Sequence, residues 1–290
     1  MRFTFFTLGG KQLWEDLFFY QGWRIQKSCK GGRYRLLDEW DIRRESGSLQ
    51  RCQNAFIHYI EVYQLLKPKQ KAVVMLHGFA QSKDSFSEMA KSFEKEGFTA
   101  IAVNYPSLKK KFSALVDQFN FLLKNIKDIK EVNFIAYGFG GLVLRKLLSK
   151  SWEWKNRFKI GKIVAVDVPN RGSRIATRFL RSPLGSQIFG PALYAYDADN
   201  IEQIPDFPKD IDIGVLTTWN PVRRFLGHFI PNSLKQMFPP AKDSHINNAK
   251  EIFAVKYFCF NPCKSAKVIT HCINFIKYGK FKSFQKIKKL

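Results

Sequence analysis

The sequence predicts an α/β fold, a doubly wound and mostly parallel sheet with an inserted lid or cap region. Three observations carry that expectation. From Lys71 onward, short apolar runs of buried-strand type alternate with segments of helical spacing. The run Val132–Tyr137 leads into Gly138, Gly140 and Gly141 and then into the helical stretch Leu142–Lys150, which spells a strand, a forced tight turn and a helix. With 290 residues, 45% of them hydrophobic, the chain can bury a sizeable core.

Taken in order, residues 1–66 are expected to form an N-terminal helical extension packed on the main domain. Leu13, Leu17 and Tyr20 or Gln21 recur at helical spacing, which predicts an amphipathic helix over Lys11–Gln21. Its polar face holds too little Lys or Arg to favour a membrane-surface helix. Ser48 is placed to cap a second helix that runs to Leu66, ahead of Pro68.

The main domain, 67–281, begins with the strand Ala72–Leu76 and the helix Ser85–Glu96, which stops at Gly97. Strand Thr99–Asn104, helix Lys110–Asn125, strand Val132–Tyr137 and strand Ile160–Val166 follow. Such alternation implies a parallel sheet covered on both faces, with functional loops at the strand carboxyl ends. Asn170–Lys209 has no clear period and holds several Pro and Gly residues, the mark of a lid or cap (170–209). Ile211–Thr217 and Ala254–Cys259 read as the last strands, and Ser265–Lys277 as the closing helix. Residues 282–290 form a basic tail.

The formal net charge is +24, from 48 Lys and Arg against 24 Asp and Glu. Two readings of this excess stay open: surfaces solvated by lysine, or attraction to anionic lipid or nucleic acid. No nucleic-acid motif accompanies the charge, so no specific nucleic-acid partner is expected. The C-terminal stretch sets Lys277, Lys280, Lys282, Lys286, Lys288 and Lys289 around Tyr278, Phe281, Phe284 and Ile287. A solvated terminus is its ordinary reading, and a weak contact with an anionic membrane surface the sharper one.

No apolar run approaches the roughly eighteen residues of a membrane span. Lys11, Glu15 and Asp16 come too early for a leader's apolar region, so a cytoplasmic protein is expected, peripheral at the membrane if the tail makes contact. Five scattered cysteines argue against a disulfide scaffold. Cys259, Cys263, His271 and Cys272 are close in sequence but should point in different directions, so neither a metal nor another cofactor is expected.

The strand, glycine turn and helix around Gly138 have the layout of a nucleophile elbow, G-x-S-x-G, with glycine where the serine should stand. The chain resembles bacterial lipase-like and esterase-like α/β hydrolases along nearly its whole length. The shared stretches include T-L-G-G-K-Q, G-W-R-I-Q, Y-R-L-L-D, L-H-G-F-A-Q-S-K-D-S-F, Y-G-F-G-G-L-V-L-R and V-P-N-R-G-S. L-G-S-Q-I-F-G-P-A and I-N-F-I-K-Y-G-K-F follow in order. The resemblance implies an α/β-hydrolase type of sheet.

In such enzymes a serine attacks the ester carbonyl, a histidine takes its proton and an acid orients the histidine. Backbone N–H groups stabilise the oxyanion. Carried over residue by residue, the oxyanion loop matches His77-Gly78-Phe79, and the second donor is the N–H of Phe139. Asp243 matches the acid. The nucleophile position falls on Gly138, after Tyr137 where the family often has histidine. The histidine position falls on Cys259, Phe260 or Asn261, with Phe260 as its approximate place. His245 lies two residues past Asp243 in the acid loop, His271 falls within the closing helix, and His58 and His228 have no motif around them.

The resemblance thus implies a degenerate triad, a pseudoenzyme that keeps a pocket for an acyl or lipid ligand. The alternative is an active ester or lipid hydrolase with a displaced nucleophile. Ser82, Ser85, Ser173 and Cys259 are near enough to be considered, but none has a base beside it in sequence, and Ser82 and Ser85 read as helix caps. A third reading takes G-F-G-G as a phosphate- or dinucleotide-binding turn. The full G-x-G-x-x-G is absent, because Val143 stands where the last glycine belongs.

Overall fold

The computed structural model describes residues 8–170, 201–219, 246–257 and 261–282. Its N-terminal part is a four-stranded antiparallel sheet in sequence order, β1 (Trp14–Tyr20), β2 (Trp23–Ser28), β3 (Tyr34–Leu37) and β4 (Arg43–Gly47). The helix expected over Lys11–Gln21 is therefore a strand, and the region is not a helical extension. The turn explains the difference. Gln21 and Gly22 both take positive φ, 49° and 82°, as a two-residue hairpin of the I′ class requires. Trp14, Phe18, Phe19, Tyr20 and Trp23 favour a pleated surface, and the helical spacing of Leu13, Leu17 and Tyr20 is coincidental, since Leu13 is exposed.

Helix α1 (Leu49–Val62) follows, capped as expected by Ser48, whose hydroxyl accepts the Arg51 N–H at 3.2 Å. Trp23, Ile25 and Leu36 alternate onto one face of the small sheet and pack against Cys52 and Phe56 of α1. The residues between them, Arg24, Gln26 and Arg35, are also buried.

The second sheet has six parallel strands: β5 (Lys71–Leu76), β6 (Thr99–Val103), β7 (Glu131–Tyr137), β8 (Lys159–Val166), β9 (Ile213–Trp219) and β10 (Glu251–Lys256). Their order is β6-β5-β7-β8-β9-β10. Successive residues of β5 serve opposite faces. Ala72, Val74 and Leu76 pack with α3 (Phe112–Asn125) and α4 (Phe139–Ser149). Val73 and Met75 pack with α2 (Ser87–Lys95) and α5 (Ala266–Tyr278). This is the expected doubly wound arrangement, the two-faced burial that parallel strands need. The chain leaves β5 for β6 at the edge and returns on the other side to β7. The crevice at the carboxyl ends of β5 and β7 is therefore the topological switch point, where open α/β sheets bind ligands.

The small sheet is fastened to the large one by buried polar groups rather than by apolar packing alone. Asn104 ends β6, and its N–H donates to the Asp16 Oδ2 at 2.7 Å while its carbonyl accepts the Asp16 N–H at 3.0 Å. Gln26 donates to the Asp16 Oδ1 at 2.7 Å, and Arg24 lies 3.4 Å from Oδ2. Gln118 of α3 donates to the carbonyls of Asp16 and Asn104, both at 3.0 Å. Burial pushes the Asp16 carboxyl up, and Arg24, the Asn104 N–H and Gln26 pull it back.

Of the expected lid, 171–200 lie outside the described residues. The returning segment is packed down, with Ile201, Ile204 and Phe207 in the core on the α4 side. The tail from 283 onward also lies outside the described residues. Among the described residues no helix is long and apolar enough to cross a membrane.

Candidate active site

The elbow is where β7 becomes α4. Gly138 takes φ 53° and ψ −118°, a conformation that costs a side-chain-bearing residue strain. Its N–H donates to the Val166 carbonyl at 2.9 Å, and its carbonyl accepts the Gly141 N–H at 3.0 Å. Among the described residues, a Cβ at Gly138 would have only the Gly78 Cα within 4 Å, at 3.8 Å. The next glycines are different. A Cβ at Gly140 would lie 2.4 Å from the Leu76 carbonyl oxygen, and one at Gly141 would lie 2.3 Å from a Val168 methyl. The first turn of α4 is thus pressed onto the ends of β5 and β8.

Across the crevice, His77-Gly78-Phe79 follows β5. His77 is fully buried and stacked on Tyr105, with ring centroids 3.8 Å apart. Its Nδ1 lies 2.8 Å from the Gly78 carbonyl, and its Nε2 is 3.4 Å from the Tyr105 N–H. That pattern suits a neutral ring donating through Nδ1 and accepting at Nε2. Burial holds its pKa at about 4. The Tyr105 hydroxyl donates to the His77 carbonyl. His77 is the foot of the loop and not a proton shuttle above it. The Gly78 N–H is taken by the Gln81 side chain at 3.3 Å, and Gly78 and Phe79 are the loop residues beside the elbow.

Aromatic rings pack together at the elbow. Phe79 and Phe112 each meet the Phe139 ring edge-on, with centroids 5.7 and 5.9 Å away, and the Tyr137 ring lies against Gly78. Phe112, at the start of α3, was not among the residues expected here, because only the sheet order brings it close. Two further anchors were also not read from the sequence. Asp167, just past β8, accepts the Thr218 N–H at 2.7 Å and the Thr218 hydroxyl, tying the ends of β8 and β9. Arg145 of α4 is 4% exposed and donates to the carbonyls of Ile204, at 2.6 Å, and Pro205, at 3.2 Å. It also reaches Asn170 and Asp206. One guanidinium therefore holds both chain segments that border residues 171–200.

The remaining expected residues divide in two. Asp243, Phe260, Ser173, Cys259, His228 and His245 lie outside the described residues. Ser82 caps a short turn by accepting the Asp84 N–H, and the Ser85 hydroxyl donates to Gln81 at 3.0 Å, so among the described residues neither faces a base. Asn261 accepts the Cys263 N–H at 2.9 Å, and His271 sits 2.9 Å from the Phe281 carbonyl against the Phe253 ring. His58 lies on α1 beside Tyr59. Among the described residues no cluster has the makings of a metal site.

Sheet order, elbow and flanking loop define an α/β-hydrolase fold. A family model described as alpha/beta hydrolase fold matches residues 71–179. The mature lipase BlEst2 of Bacillus licheniformis superposes with a TM-score of 0.52 at 17% identity, over 72% of this chain and 90% of that one. Its propeptide form gives 0.50 at 16% identity over 68% of this chain, which spans 48% of that form. At such identities the likeness is one of fold. Curated protein sequences give no match.

Two outcomes are expected. Gly138→Ser should fold and lose roughly 1–3 kcal/mol to backbone strain, whereas Gly140→Ala, aimed at a backbone carbonyl, should lose more than that or fail to fold. Equal urea midpoints for the two variants would refute the packing described. For His77, the unfolded chain binds a proton near pH 6.5 while the folded chain refuses it until about pH 4. Stability is therefore lost as pH falls across that window, by up to about 3 kcal/mol. Urea unfolding from pH 7 to 4.5 should show this slope in wild type and not in His77→Asn. Identical slopes would count against a buried neutral ring.

Proposed function

We propose that the protein is a catalytically inactive α/β-hydrolase-fold protein that uses the crevice at the elbow to bind an acyl or lipid ligand. The observation that carries this reading is Gly138 itself, in the elbow conformation and with no side chain to attack a carbonyl. The sequence adds that no histidine stands at 259–261, the family's histidine position. Members of a triad act as a unit, so losing two costs little more rate than losing one, and either loss is several orders of magnitude. The partly exposed rings of Phe79 and Phe112, packed on the buried Phe139, support an apolar ligand, since such pockets are lined by apolar rings with few oriented polar groups. The opening of α4 at Phe139 supplies the positive end of a helix dipole for a carbonyl or carboxylate head.

The purified chain should show no turnover of p-nitrophenyl acetate or decanoate above background, yet bind decanoate in a calorimetric titration. Phe112→Ala should weaken that binding by about tenfold, as removal of a buried ring face implies. Hydrolysis that survives rigorous purification and disappears on changing Ser173 or Cys259 would establish the displaced-nucleophile hydrolase instead. Absence of both turnover and binding would remove the pocket reading.

A further inference from the structure

The N-terminal stretches T-L-G-G-K-Q, G-W-R-I-Q and Y-R-L-L-D have no place in the elbow, yet they meet beside it. Gln12 joins the loops that follow β5 and β6. Its Nε2 donates to the Gln81 carbonyl, and its Oε1 accepts the Leu108 N–H at 2.9 Å and the Ser107 hydroxyl at 3.4 Å. The Ser107 oxygen in turn accepts the Ala80 N–H at 2.9 Å. We propose that Gln12 is the positioning residue of the His77–Gln81 loop, so that the N-terminal sheet is a working part of the site. The proposal deepens the pocket reading and rests on it for its consequence, ligand binding.

The outer side of this loop borders a groove of about 630 Å³ whose lining among the described residues is polar or charged, Gln12, Gln81, Ser82, Ser85 and Asn261 included, with Ala80 as the one apolar residue. Ala80 itself takes φ 59°, a conformation that needs support in a residue with a Cβ. The Gln81 side chain is already committed to the Gly78 N–H and the Ser85 hydroxyl. The Gln81 carbonyl and, through Ser107, the Ala80 N–H depend on Gln12.

The other motif residues fix where Gln12 stands. Gly9, Gly10 and Lys11 all have positive φ, at 65°, 81° and 37°, which turns the chain sharply just before it. Gln26 donates to the Gly9 carbonyl at 2.8 Å. Arg35 donates to the Gln26 Oε1 at 2.9 and 2.7 Å through Nε and Nη2, and lies 4.0 Å over the Trp14 ring. A Cβ at Gly10 would come within 2.4 Å of the Arg35 guanidinium and 2.9 Å of the Gln26 oxygen. Asn104 donates its side-chain N–H to the carbonyls of Lys11 and Trp14 on either side of Gln12. Each stretch thus supplies one part: the glycine turn, the amide that grips it, and the guanidinium that holds the amide.

The test is backbone amide hydrogen exchange by NMR on the full chain, paired with decanoate titration. Gln12→Ala should speed exchange at Ala80, Gln81 and Leu108 by about tenfold or more, the worth of one or two hydrogen bonds. Exchange in the central strands should be unchanged and decanoate binding weakened. Gln12→Glu keeps an acceptor for the Leu108 N–H and has no donor for the Gln81 carbonyl when ionised. It should leave Leu108 and Ala80 slow, because the Leu108 N–H and the Ser107 hydroxyl keep their acceptor, while Gln81 speeds up, a split that general loosening would not give. Exchange at these amides that matches wild type in Gln12→Ala, or that rises evenly through β5 and β7, overturns the proposal. If wild type does not bind decanoate, the pocket reading fails and the exchange data still decide the role of Gln12.

Discussion

The first turn of α4 approaches the ends of β5 and β8 so closely that two consecutive positions admit no side chain. Gly140 sits on the Leu76 carbonyl and Gly141 on the Val168 methyls, and a methyl group at either would overlap atoms that are themselves packed into the core. Interiors are dense enough that such overlap cannot be relieved by small shifts. That approach sets the angle at which α4 leaves the sheet, and so the distance between the elbow and the loop after β5. It also fixes Gly138, whose two backbone hydrogen bonds run to β8 and to Gly141. The conformation of the turn is imposed by its neighbours and not by anything a side chain at 138 contributes.

Around that fixed point, directional hydrogen bonds place the loops. On the β6 side, Asn104 and Asp16 lock the small sheet to the large one, and Gln12 reaches from there to the crevice. On the far side, Arg145 gathers four partners from Asn170 and the 204–206 segment. Both anchors bury charge, which is a poor source of net stability because desolvation offsets much of the attraction. What they supply is geometry. An apolar contact tolerates sliding, whereas a guanidinium or a carboxamide with every donor engaged does not.

The large sheet was legible in the sequence because parallel strands buried on both faces read as unbroken apolar runs and their helices keep a 3.6-residue period. Strand ends were less so: β9 and β10 are displaced by two or three residues from Ile211–Thr217 and Ala254–Cys259. The small sheet was misread for a specific reason. Its inward face toward the main domain carries Asp16, Arg24, Gln26 and Arg35, so the alternation of apolar and polar residues that marks a strand does not track burial there. At the site, His77-Gly78-Phe79 and Gly138 could be located because each is a local pattern at a strand end. Gln12, Ser107, Phe112 and Arg145 could not, because their partners are 25 to 96 residues away in the chain. No local spacing encodes such contacts.

Structure and chemistry are separable at this elbow. In an enzyme, a serine at such a turn must be held in a conformation it resists, at a cost of about 1–3 kcal/mol. The hold comes from the glycines that follow, from β8 and from the loop after β5, all of which are present here. Glycine occupies the same φ and ψ without that cost. Replacing serine by glycine therefore removes the nucleophile and relieves strain in one step, while the aromatic rings and the anchored loops stay where they are. The crevice owes its shape to Gly140, Gly141, Gln12 and Arg145, none of which would take part in bond making. A pocket built in this way does not need catalysis in order to persist, which is what the proposed binding function requires.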